Sequence, residues 1–218
     1  TFWSARGAAT GATERRRPSR TDRCLGALFL LVWRAAGLVA LPFLALHPRA
    51  RRHIWRVPVP IPGWTWLHGA SAGEHTAARA LATCVTQCWP TSSSWRTPVA
   101  GAFAAPLDLP FVFTSWLDRA RPGRLVLIEG ALWPGWLAAC RRRGIPVSVV
   151  NARPGRGTAR WRKVGPLWRW LTADVQFIGQ KETGDLKLSA ALREATLNLG
   201  REAIVAASTR PGDEQRML

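Results

Sequence analysis

Trp66-Leu67-His68-Gly69-Ala70-Ser71-Ala72-Gly73-Glu74 sets a short apolar run against a turn of small residues. The run predicts a strand over 65–69, and the turn opens a helix predicted over 73–84. The same order recurs downstream. Leu125 to Glu129 reads as a strand, with a helix from Trp133 to Arg143; Val147 to Asn151 and Asp174 to Ile178 read as strands, with a helix from Val164 to Leu171 between them. A further helix is predicted over 111–120 and a last strand over 204–207. Strands alternating with helices give an α/β fold, a parallel sheet with helices on both faces. Ligands of such sheets bind outside the carboxyl ends of the strands, where this chain places Ser, Gly, Asn and carboxylates.

Composition narrows the partners. The chain has 218 residues and 47% hydrophobic content, enough for one full domain and part of another, which excludes disorder throughout. Its formal charge is +18, and nearly all of its 31 basic residues are arginine; there are 13 tryptophans and no tyrosine. Such usage fits a GC-rich coding sequence, and the remaining charge calls for an anionic partner: a membrane surface, a phosphorylated substrate or nucleic acid. Cys24, Cys84, Cys88 and Cys140 lack zinc-ligand spacing, so the reading is free thiols with no metal and no cofactor.

Residues 1–23, centred on Arg15-Arg16-Arg17, read as a disordered basic tail. The apolar stretch 24–46 is long enough to cross a bilayer, is interrupted by Arg34 and is expected to bend near Pro42. Arg34 at its middle costs about 2.5–3.5 kcal/mol on insertion scales. A spanning anchor, a monotopic helix, a signal peptide and a buried core helix all fit; basic flanks on both sides favour membrane attachment. Pro58, Pro60 and Pro62 make 47–63 an extended linker. Residues 88–105 show no strand period.

Each candidate residue carries a plain structural reading beside the functional one. Ser71, Gly73 and Glu74 form either an anion-accepting turn at a helix start or an ordinary N-cap with an acid in the first turn. Glu129 ends a buried strand, where a carboxylate needs a partner or a task. Asn151 and Arg153 offer directed hydrogen bonds and a phosphate fork, or an Asx turn with a solvated cation. Arg141-Arg142-Arg143 complements a helix C-terminus and stays outside the predicted site.

His68-Gly69-Ala70-Ser71-Ala72-Gly73-Glu74, Glu129-Gly130-Ala131-Leu132-Trp133-Pro134, Asn151-Ala152-Arg153, Gly184-Asp185-Leu186-Lys187 and Ser208-Thr209 follow one another as similar motifs do in the Kdo (3-deoxy-D-manno-octulosonic acid) transferases, and the chain resembles that family from about Cys24 onward. The resemblance implies a Rossmann-like N-terminal, acceptor-side domain (64–200) of a GT-B glycosyltransferase, preceded by a membrane anchor. The start of a truncated donor-binding domain is expected at 201–218. It implies CMP-Kdo as donor, lipid IV-A as acceptor and a place at the cytoplasmic face of a bacterial inner membrane. It adds Lys187 and Ser208 to the substrate-binding set.

Departures are equally specific. Ala131 stands where the family has a second carboxylate. The family's strand and Thr-rich loop are not evident in 88–105, and Gln180 almost touches Thr183-Gly184, as local deletion or frame slippage would produce. No Asp or Glu occurs between Asp22 and Glu74, where the family's Glu looks suited to be the general base; His53 is the only titratable stand-in, and a lone His is more often incidental. The expectation is a fragment without activity by itself. Two alternatives remain: another membrane-associated GT-B glycosyltransferase, and a basic nucleic-acid-binding protein. For the second, no nucleic-acid module appears, and no nucleic-acid partner is expected.

Overall fold

A computed structural model describes residues 18–82, 87–94, 99–130, 132–152 and 163–179. Six parallel strands form one sheet in the order β3-β2-β1-β4-β5-β6: β1 (Thr65–Gly69), β2 (Cys88–Ser92), β3 (Phe103–Ala104), β4 (Arg124–Ile128), β5 (Val147–Ala152) and β6 (Val175–Gly179). The chain builds outward from β1 through β2 to β3, then returns to lay β4 on the other side of β1. This is the doubly wound α/β arrangement, as the alternating pattern predicts.

The helices are α1 (Arg20–Leu46), α2 (Pro48–Ile54), α3 (Ala72–Ala82), α4 (Val112–Ala120), α5 (Pro134–Arg142) and α6 (Gly165–Leu171). Alternation along the central strands sorts the core into two layers. Leu125 and Leu127 of β4, with Trp66, Val147, Val149 and Val175, face α4, α5 and α6. Leu67, Val126, Ile128 and Val150 face the other way, onto Ala77 and Ala78 of α3. Tryptophan fills the larger layer: Trp66 lies 4.7 Å from both Trp116 and Trp136, ring centre to ring centre. Buried aromatics at such spacing add to area burial through edge and offset contacts.

Three boundaries differ from the sequence reading. The stretch 88–105 holds β2, in register with β1 from Thr65↔Cys88 to Gly69↔Ser92, and the two-residue β3. Pro90 obscures β2 because proline lacks an N–H, yet β3 begins to pair only at Thr91, so the outer side at Pro90 has no ladder to interrupt. The strand also ends in a hydroxyl-rich run, Thr91 to Ser94.

The stretch 47–63 opens with α2 rather than an extended linker. Pro48 sits in its first turn, where a missing N–H costs nothing, and Ala50 and His53 turn inward. The prolines then carry the chain to β1, where Trp116 Nε1 donates to Pro58 O at 2.8 Å.

α1 begins at Arg20, inside the stretch read as a tail. Ser19 Oγ accepts from Asp22 N while the Asp22 carboxylate accepts from Ser19 N, a reciprocal cap. The helix passes through Pro42 without ending. One stripe of α1 lies on the domain. Asp22, Gly26, Leu30 and Gly37 are buried, and the Asp22 carboxylate takes both an Nε and an Nη2 hydrogen bond from Arg169 of α6. The opposite face exposes Leu28, Leu31, Val32, Val39 and Phe43.

Candidate active-site crevice

The order of the sheet reverses between β1 and β4, and there the chain leaves the carboxyl edge toward α3 on one face and α5 on the other, the position at which such sheets bind ligands in a crevice. The sequence places Ala70-Ser71-Ala72-Gly73-Glu74 on one lip and Glu129-Gly130 on the other, with Asn151 at the end of the next strand. Because β1, β4 and β5 are adjacent and parallel, Ser71, Gly73, Glu74, Glu129 and Asn151 share one edge, as predicted. Arg153, Lys187 and Ser208 lie outside the described residues, as do Ala131 and the region 180–218.

The β1 lip is a capped turn. Ser71 Oγ accepts from Glu74 N at 3.3 Å, and Glu74 Oε2 accepts from Ala70 N at 2.7 Å. Ser71 therefore acts as the N-cap of α3, and the Glu74 carboxylate stiffens the turn before it. Gly69 is required by closeness: a Cβ there would stand 2.9 Å from His75 N. Ser93 Oγ, beyond β2, donates to Ala70 O at 3.4 Å and ties the neighbouring hydroxyl-rich loop to the same lip.

The β4 and β5 ends share an unusual backbone. Glu129 has φ +63° and Asn151 φ +56°, left-handed conformations that side chains other than glycine adopt at a cost. They meet: Asn151 Nδ2 donates to Glu129 Oε1 at 3.3 Å. Asn151 is 0% exposed, and its Oδ1 has no hydrogen-bond partner among the described residues. Two strained residues, a buried orphan acceptor and a carboxylate at one sheet edge form a constellation that stability alone does not favour.

Beneath the lip the site is aromatic and neutral. His68 is buried against Trp136, with ring centres 4.8 Å apart, and near Trp133 at 6.3 Å. Its Nδ1 lies 3.0 Å from Thr91 Oγ1, which also accepts from Trp66 Nε1 at 2.8 Å. Burial pushes the His68 pKa down to about 3, with the neighbouring His53 and His75 adding to the shift, so the ring is uncharged at neutral pH.

His53 is 1% exposed rather than incidental. Its Nδ1 is 2.7 Å from Ala105 O, which sets that nitrogen as the donor, and its Nε2 accepts from Arg52 Nε at 3.1 Å. Burial lowers its pKa, although the contact with Ala105 opposes the shift. The imidazole lone pair is thus engaged in holding Arg52, whose guanidinium also donates to Ser94 O. Together with Ser92, Ser94 and Phe103 the pair lines a cavity of about 80 Å³ beyond the ends of β2 and β3. Arg52 escaped the sequence reading because Arg51-Arg52-His53 looked like flanking charge. The usable signal was helical periodicity, which sends Ala50 and His53 to the same inward face.

Asp108 was also missed. It is buried, and its Oδ2 accepts from Gly135 N at 2.9 Å, capping α5 from a loop far away in sequence. Burial raises its carboxyl pKa to about 7 against the lowering effect of the Gly135 and Trp136 amides. No cluster of His, Cys, Asp or Glu among the described residues has the makings of a metal site.

Comparison with known proteins matches residues 43–199 to the family model described as 3-Deoxy-D-manno-octulosonic-acid transferase (kdotransferase). The chain is 27% identical to the 3-deoxy-D-manno-octulosonic acid transferase of Bordetella pertussis, over 86% of this chain and 54% of that protein. It is 26% identical to the Haemophilus influenzae protein of the same name, over 66% of this chain and 36% of that one. It is 28% identical to a probable mitochondrial 3-deoxy-D-manno-octulosonic acid transferase of Arabidopsis thaliana, over 63% of this chain and 37% of that protein. The chain thus spans about half or less of the length of these relatives.

Proposed function

The chain belongs to the 3-deoxy-D-manno-octulosonic-acid transferase family, and we propose that it forms the acceptor-side wall of a GT-B glycosyltransferase that moves Kdo from CMP-Kdo to lipid IV-A. The observation that carries this reading is the reversal of strand order between β1 and β4, with Glu129 and Asn151 held in left-handed backbone at the carboxyl edge beside it. In this reading Asn151 Oδ1 accepts a hydrogen bond from an acceptor-sugar hydroxyl, and Glu129 holds Asn151 in place. Ser71, Gly73 and Glu74 shape the opposite lip. Arg153, Lys187 and Ser208 enter as further substrate contacts through their motifs alone.

Chemistry at this wall is incomplete. Moving a sugar onto a hydroxyl requires a group that takes the hydroxyl proton, and a well-placed base is worth about 10²–10⁴-fold. No carboxylate precedes Glu74 after Asp22, and the His53 lone pair is committed to Arg52. The 218-residue chain is therefore a binder of the acceptor rather than a catalyst by itself.

We read α1 as the membrane attachment of the domain. It is long and apolar enough to cross a bilayer, yet Asp22, Gly26, Trp33 and Gly37 are all engaged with the domain, so crossing would break contacts along its length. A helix docked on one side and apolar on the other suits the interface, and in this reading that interface is the cytoplasmic face of the bacterial inner membrane. Deletion of 24–46 should release the protein from the membrane fraction.

The test is a transfer and binding assay with lipid IV-A, comparing CMP-Kdo with UDP-sugars. The chain alone should bind lipid IV-A, with quenching of its tryptophan fluorescence, and should form no product. A chimera with a relative's donor domain should bind CMP-Kdo and not UDP-sugars. Absence of lipid IV-A binding refutes the acceptor-side reading; robust product from the chain alone refutes the argument about the base.

A further inference from the structure

Arg34 interrupts an otherwise apolar helix, and its surroundings say where it points. It lines a shallow groove between α1, α4 and α5, shared with Leu30, Leu109, Phe113 and Arg142. Helical geometry sets Arg34 on the border between the stripe of α1 that touches the domain and the stripe that is exposed. One turn to either side of Arg34, toward the exposed face, stand Leu31 and Leu38, 65% and 48% exposed.

Arg142 reaches the same groove from the last turn of α5. The run Arg141-Arg142-Arg143 invites a purely electrostatic explanation, since cations complement a helix C-terminus. Two of the three have specific partners: Arg141 pairs with Asp174 at 2.5 Å, and Arg143 with Asp118 at 2.6 Å. No ion pair to Arg142 or Arg34 occurs among the described residues. The two are close enough to repel, and that repulsion adds to burial in lowering the pKa of Arg142. Asp108, the acid in the groove wall, is turned onto Gly135 N and neutralises neither. Both arginines are exposed, so water screens their repulsion, and an anion at the groove mouth would meet two guanidinium forks that have no ion-pair partner among the described residues.

We propose that the phosphate of an anionic membrane phospholipid rests at the mouth of this groove, clasped between Arg34 and Arg142 with its acyl chains along the exposed apolar face of α1. The guanidinium forks suit phosphate oxygens bidentately. The groove runs along α5: Gly135 and Asp108 line it at the start of that helix, and Arg142 stands at its last turn, roughly 10 Å further along. The occupant is a lipid rather than free phosphate because the apolar wall beside the charges continues into the exposed row of α1. The proposal rests on the interfacial reading of α1 and extends it to a head-group preference.

Flotation of the full 218-residue chain with phosphatidylcholine vesicles, and with vesicles in which a fraction is phosphatidylglycerol, separates the two ideas. Wild type should float with both and prefer the anionic vesicles. Arg34→Gln with Arg142→Gln should bind phosphatidylcholine as wild type does and lose about 10- to 30-fold of the anionic preference. Arg119→Gln with Arg121→Gln removes equal charge outside the groove and should lose distinctly less. If the Gln pair does not fold, Arg34→Lys with Arg142→Lys keeps the charge without the fork, and a drop in preference is again expected. Wild-type preference in the groove variant, or an equal loss in the control pair, overturns the site. Displacement by inorganic phosphate would assign it to a free anion and overturn the lipid occupant. Binding to anionic vesicles alone would refute the apolar-face reading while leaving the arginine clasp measurable, and flotation with neither vesicle refutes both.

Discussion

Asp108→Asn should make this protein more stable, and increasingly so as pH rises. The carboxyl group of Asp108 is 6% exposed and faces the amide of Gly135 at the start of α5. Burial moves its pKa from 3.8 to about 7. A folded-state value above the unfolded one means that the folded protein binds the extra proton, so stability falls as pH rises between those two values and levels off above the higher one. Each pH unit in that window costs about 1.4 kcal/mol, which accumulates to about 4 kcal/mol by pH 8. Asn has the shape of the protonated acid, still accepts from Gly135 N and carries no charge to desolvate. Urea unfolding followed by tryptophan fluorescence, with Trp136 as the adjacent reporter, should show variant and wild type converging near pH 4. They should separate by about 1.4 kcal/mol per unit up to pH 7 and stay parallel above it. Parallel curves throughout, or a variant weaker than wild type at pH 8, would mean that Asp108 is an ionised cap of α5 and that the burial argument is wrong.

Further substitutions probe the other contacts. Gly26→Ala puts a Cβ 2.1 Å from the Trp170 ring and should undock the first turns of α1, costing about 1–3 kcal/mol and altering near-UV circular dichroism. Gly69→Ala meets the backbone of His75 at 2.9 Å, so the β1 lip must shift; the lipid IV-A binding proposed above should weaken roughly tenfold or more even if the melting temperature moves only a few degrees. Asn151→Gly should be more stable than Asn151→Ala by about 1 kcal/mol in thermal melts, because only glycine adopts φ +56° freely, and equal midpoints would remove the claim of backbone strain.

What the sequence made legible was whatever rests on local pattern. Thr65–Gly69 was recognisable from its apolar run and the small residues after it, and the other central strands were placed to within a residue for the same reason. β2 was hidden because Cys-Trp-Pro-Thr-Ser has no alternation and contains a proline; its strand character comes from pairing with β1 along its whole length, a tertiary fact. Asp108 was hidden for a similar reason: the helix it caps begins at Pro134, too far along the chain for any capping pattern to reveal. Glu129 and Asn151 were legible as residues at strand ends, but neither their left-handed backbone nor their hydrogen bond was. His53 shows the reverse case, since its isolation in sequence suggested an incidental residue, whereas three-dimensional packing gave both ring nitrogens partners.

The way α1 is fastened has a geometric corollary. Asp22 grips Arg169, Gly26 meets Trp170, Trp33 donates to the Asp108 carbonyl and Gly37 meets Pro110. A helix secured at so many points along its length moves with the sheet as one body. If α1 rests in a lipid surface as proposed, the height of the strand-end site above that surface is a dimension of the fold, not of a tether. The proposed acceptor site then works as a gauge: it accepts a hydroxyl that projects from the lipid by that fixed distance, and a longer or shorter head group is rejected by reach before any side chain touches it.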